Sequence, residues 1–132
     1  MKVVARRGEG LAQDVELDGG REIVVDEPVA AGGSDSGPSP TQLLAASLAG
    51  CTAITLELYA ERKGWDLDEL EVEVDFASEG QAPAAFDVVL RLPESFDEEQ
   101  RGRLLKIAAK CPVHKVLASE SSIVISDRVE TI

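Results

Sequence analysis

The sequence predicts an α+β domain in which helices pack on antiparallel sheet. Two observations carry this: short alternating β-prone runs at the N-terminus, and a long apolar helix followed by more strands and a second helix. The expected order is β-β-β-α-β-β-α-β, in a single domain spanning residues 1–132.

The first three strands are read from "KVVARR", "AQDVELD" and "REIVVDE", with "DGG" at residues 18–20 as the turn between the last two. They form an antiparallel meander. Residues 30–39, "AAGGSDSGPS", are small and turn-forming and are expected to be a mobile loop. Ser39 then serves as an N-cap, Pro40 takes the first helical position and Gln42 completes a capping box. From Leu43 to Ala60 the helix is apolar on nearly every face, which predicts burial on several sides. Arg62 and Lys63 suit its negative end, and Gly64 stops it. Strands follow at 70–77 and 85–92. A second helix is capped by Asp97 and runs to about residue 110, where Pro112 disfavours helical geometry at Cys111. After a short turn, "SIVIS" at 122–126 is expected to be the last strand.

Composition narrows the function classes. With 132 residues and 44% hydrophobic content the chain has material for one real core. The N-terminus lacks an apolar signal region, and no uncharged apolar run approaches the ~20 residues of a membrane span. A cytoplasmic protein with reduced thiols is therefore expected. The net charge of −12 opposes binding to phosphate backbones or anionic lipid, so neither nucleic acid nor membrane is an expected partner.

Chemistry, where it exists, centres on two cysteines and one histidine. Cys51 lies inside the apolar helix, where a thiol packs as a small hydrophobe unless a cation holds it ionised. Cys111 stands at a helix junction and can itself cap the next turn, with Lys110, His114 and Lys115 adding positive charge nearby. A solvated junction explains the same residues. Cys111-x-x-His114 has a spacing zinc can use, with Cys51 as a third ligand, but structural zinc sites take four Cys/His ligands, so no metal is expected. A Cys–His nucleophilic couple would also need an oxyanion hole. No phosphate loop, dinucleotide fingerprint or nucleophile elbow is present, and no cofactor is expected.

"GGSDSGPSPTQLLAASLAGCTAITLELYAERKGW" at residues 32–65, together with "AAKCPVHKVL" at 108–117, resembles the OsmC/Ohr family, and the resemblance extends over essentially the whole chain. It implies an intertwined homodimer in which antiparallel sheets from both chains wrap long central helices. It also implies a thiol-dependent peroxidase that reduces organic hydroperoxides. Cys51 matches the peroxidatic position, whose thiolate becomes a sulfenic acid, and Cys111 matches the resolving position that closes a disulfide. A lipoyl or small dithiol would regenerate the pair. Two departures stand out. Where the peroxidases keep a glutamate, ten residues before the first cysteine, this chain has Thr41. "CPVHK" is closer to the less characterised OsmC-like branch, and the alternative expectation for this chain is redox sensing or small-ligand binding without efficient turnover. The thiolate-stabilising cation is then sought among Arg7, Arg21, Arg62 and His114.

Overall fold

The computed structural model of the chain describes residues 1–79 and 82–132. The described elements are β1 (Val4–Arg7), β2 (Gln13–Leu17), β3 (Arg21–Val25), a 3-10 turn (Val29–Ala31), α1 (Pro40–Lys63), β4 (Glu71–Glu79), β5 (Ala82–Arg91), α2 (Glu98–Ala108) and α3 (Pro112–Leu117). They fall into two compact units, Met1–Ala46 with Phe76–Phe86, and Ser47–Asp75 with Asp87–Ile132. β4 and β5 pair in a two-stranded sheet.

In the first unit, β1, β2 and β3 form the expected antiparallel meander, with Val15 opposite both Ala5 and Ile23. Gly19 and Gly20 both take positive φ in the "DGG" turn, a conformation that costs glycine little. The loop expected to be mobile is instead organised around one side chain. Asp26, only 3% exposed, accepts hydrogen bonds from the Ser36 hydroxyl and from the backbone N–H groups of Glu27, Ser34 and Ser36. The Ser36 hydroxyl acts most strongly, and together these donors lower the carboxyl pKa to about 2. Two glycines make the tight path feasible. A Cβ at Gly33 would run into the Glu27 carbonyl, and one at Gly37 into the Val24 carbonyl. A run of small residues suggests mobility from composition alone, because its anchor, Asp26, lies outside it in sequence.

The loop delivers the chain to α1 through the predicted capping box. The Gln42 N–H donates to Ser39 Oγ at 3.2 Å, and the Ser39 N–H donates to Gln42 Oε1 at 2.9 Å. Thr41, at the position of the peroxidases' glutamate, has its hydroxyl 3.2 Å from Ser39 Oγ.

In the second unit, Leu48, Thr52, Leu56 and Ala60 recur at i, i+4 and form the buried stripe of α1. Leu56 and Ala60 pack with Leu67, Phe96, Leu104 and Ala108, and Trp65 stands edge-on to both Tyr59 and Phe96. Leu56 and Leu104 are fully buried, each worth roughly 1.5–3 kcal/mol of transfer free energy. The expectation of burial on several sides is not met within one chain: Ile54 is 63% exposed and Leu58 54%. α1 is apolar all round, and the chain's own elements cover one stripe of it. Contrary to the sequence reading, α1 is also long and apolar enough to cross a bilayer by length and composition, with a mean hydropathy of 1.5, as core helices of globular proteins can be. Its few polar residues are spread widely enough for the average to stay apolar.

α2 starts at the predicted Asp97–Gln100 capping box and stops at Ala108, two residues before the expected end. The stretch after Cys111, read as a turn, is the short helix α3. The strand expected at 122–126 is not formed. Ile123, Val124 and Ile125 are exposed, and none of the described strands offers them a ladder. A β-prone segment becomes a strand only when a neighbour takes its backbone hydrogen bonds.

Candidate active site

Cys51 and Cys111 both belong to the second unit, and both are free thiols. Cys51 sits in the middle of α1 and is half-buried; Cys111, between α2 and α3, is completely buried. Cys111 is near enough to act on the Cys51 thiol. Pro112 places this junction. It breaks the helical run after α2 and, lacking an N–H, is suited to the first position of α3.

Cys111 is the N-cap of α3, as its sequence context suggested, and its Sγ accepts the His114 N–H at 3.3 Å. The preceding N–H of the same turn, that of Val113, faces the Cys51 thiol. One turn of backbone thus supplies a donor to each sulfur. The Thr55 hydroxyl, one turn along α1, donates to the Cys51 carbonyl at 2.8 Å and also acts on the thiol. Neither Val113 nor Thr55 was singled out from sequence. The i+4 spacing of Thr55 was a visible signal for it, whereas a backbone donor leaves no residue-type signature.

These donors do not prevail. Burial pushes the Cys51 thiol above its ordinary value, the neighbouring Cys111 pushes it further, and Val113 and Thr55 only partly offset them. The groups acting most strongly on the thiol include no cation. Arg62 lies eleven residues beyond Cys51 on α1, roughly 16 Å along the axis, and its Nε donates to the Leu58 carbonyl. Arg7 and Arg21 are exposed residues of β1 and β3 in the other unit. Lys110 and Lys115 are exposed. His114 meets the site through its backbone, and its Nδ1 is buried without a hydrogen-bond partner. Among the described residues, no group of three or more His, Cys, Asp or Glu side chains is placed to hold a metal ion.

A raised thiol pKa has a direct readout. Alkylation of Cys51 by iodoacetamide, followed by mass spectrometry, is expected to accelerate through the alkaline range. Its half-point should lie above the ~8.5 of a free cysteine. A half-point below neutrality would show that a cation does reach the thiolate.

Residues 33–126 match the family model for OsmC-like protein. The chain belongs to the OsmC-like family. Its fold is that of solved OsmC/Ohr structures. The OsmC-like protein of Mycoplasma pneumoniae superposes with a TM-score of 0.77 at 19% identity, over 89% of this chain and 86% of that one. The organic hydroperoxide resistance protein OhrB of Bacillus subtilis is 29% identical, with a TM-score of 0.57 over 87% of each chain. A Legionella pneumophila structure described as an organic hydroperoxide resistance protein OsmC gives 0.62 at 20% identity, over 89% of each chain. No curated protein matches the chain. OsmC-like proteins thus include members named for hydroperoxide resistance.

Proposed function

We propose that this OsmC-like protein is a thiol-dependent reductase of organic hydroperoxides, acting in the cytoplasm as a homodimer, with residues 1–132 as one functional domain. The observation that carries this reading is the pairing of two free thiols, a half-buried Cys51 against a fully buried Cys111. The nucleophile is the sulfur a substrate can reach, and the partner that must close the disulfide is already beside it. The Cys51 thiolate attacks the distal peroxide oxygen, the O–O bond breaks, and the alkoxide leaves as the alcohol after taking a proton. Cys51 is then a sulfenic acid. Cys111 condenses with it, forming the disulfide and releasing water. A lipoyl or small-molecule dithiol reduces the disulfide by two exchanges and is itself oxidised. Support for the homodimer comes from the uncovered apolar face of α1 at Ile54 and Leu58.

A second reading, redox sensing or small-ligand binding without efficient turnover, is favoured by the raised Cys51 pKa and by Thr41 at the glutamate position. Both lower the thiolate fraction available for attack. The experiment that separates the two gives reduced protein cumene hydroperoxide and dihydrolipoamide, with Cys51→Ser alongside. Catalytic consumption well above that of the variant supports the reductase. Consumption equal to it rejects the reductase and leaves the sensing role.

A further inference from the structure

His114 is the only histidine in the chain, and neither half of the dithiol chemistry described so far uses its ring. We propose that the His114 imidazole takes the Cys111 proton when the disulfide closes. This rests on the disulfide-forming reading of the same cysteine pair.

Three observations converge on it. Cys111 is completely buried, so its proton has no direct route to bulk water at the moment the sulfur must become a nucleophile. His114 is already tied to that sulfur, because its own N–H donates to Cys111 Sγ at 3.3 Å. Four covalent bonds separate that amide nitrogen from Nδ1, which keeps the two within about 5 Å of each other. Lastly, Nδ1 is buried and makes no hydrogen bond in the reduced protein. A buried polar atom left unpaired costs roughly 1–3 kcal/mol, and such orphans call for an explanation in function. Rotation about the His114 side-chain bonds moves this unpartnered ring nitrogen in the neighbourhood of a buried thiol. The alternatives are poorly placed: Lys110 and Lys115 are exposed, and as ammonium groups they have no lone pair to accept a proton.

The step balances. The Cys111 S–H proton passes to Nδ1, and the Cys111 sulfur attacks the Cys51 sulfur. The Cys51 S–O bond breaks, and the departing hydroxide takes the proton back from the imidazolium as water. Cys111 is oxidised, the Cys51 sulfenic sulfur is reduced, and His114 ends neutral.

The test resolves the two steps in time. Reduced wild type, His114→Asn and His114→Ala receive one equivalent of cumene hydroperoxide and are quenched at intervals with dimedone and N-ethylmaleimide. Mass spectrometry then counts sulfenic acid and disulfide separately. Asparagine keeps the backbone donor and a polar atom near the Nδ1 position, but it cannot accept a proton. Sulfenic acid should form in His114→Asn within about twofold of wild type, while disulfide closure slows on the order of a hundredfold. Added imidazole should restore part of that loss in His114→Ala. Wild-type closure in the asparagine variant overturns the proposal, as does equal slowing of both steps, which would mark a packing role. A parallel arm closes the disulfide with diamide, which is reduced to the hydrazine. That arm reads Cys111 deprotonation even if wild type never forms a sulfenic acid, so failure of the peroxidase reading and failure of the His114 role remain distinguishable. Slowed closure there supports the proposal, and unchanged closure overturns it.

Discussion

Cys111→Ser is expected to stop the reaction after a single oxidation of Cys51. In the proposed reaction Cys111 resolves the oxidised Cys51 from beside it, and a group so placed outcompetes a free thiol by orders of magnitude. With only an external dithiol left to reduce the sulfenic acid, steady-state peroxide consumption should fall by roughly a hundredfold or more. The product should carry one added oxygen on Cys51 and no disulfide. Serine is a suitable choice because the fold has little reason to notice it. It is a strong N-cap and can accept the His114 N–H that Cys111 Sγ accepts now. Far-UV circular dichroism should therefore match wild type while turnover collapses. Sustained wild-type turnover by this variant would remove Cys111 from the mechanism.

A clear loss of stability is expected from Gly37→Ala. The added methyl would meet the Val24 carbonyl, a backbone group at the end of the meander with little freedom to retreat. Relieving that overlap means moving Pro38, whose carbonyl accepts the Asp26 N–H at 3.1 Å. A cost of about 1–3 kcal/mol follows, to be read as a lower urea midpoint at unchanged slope. A wild-type midpoint would mean that the loop has another path. The same loop should be sensitive to acid. Asp26 is held at about 2 when folded, against about 3.9 in an unfolded chain. A group with a depressed folded pKa stabilises the fold above its unfolded value, and that stabilisation is lost as the pH falls through the folded value. The stability gap between wild type and Asp26→Asn should accordingly shrink as the pH drops from about 4 towards 2.

Local signals in this sequence translated into structure more faithfully than distant ones. The Ser39–Gln42 and Asp97–Gln100 capping boxes, the glycine stop at residue 64 and the capping role of Cys111 were all legible, because each is settled within a few residues. The Asp26 anchor was not, since its partners lie up to ten positions away in a segment whose composition suggests only flexibility. Residues 122–126 have the pattern of a strand and lack a partner to make them one. At the candidate site, the cysteine pair was visible through family resemblance, and the structure brings the two thiols together. The donors facing Cys51 were not visible, because one of them is a peptide N–H. Arg62, a candidate partner for the thiolate by its sequence position, is instead bonded to its own helix.

Pro112 has one more consequence. Because proline has no amide hydrogen, the opening turn of α3 has its first donors at Val113 and His114, and each faces a different sulfur. The two sulfurs therefore have separate addresses in an amide spectrum. Oxidation, alkylation or metallation of Cys51 alone would register first at the Val113 resonance, and a change at Cys111 alone at that of His114. A bond between them would shift both at once, so a pair of neighbouring peaks could report which sulfur has reacted, and in what order, without a label on either.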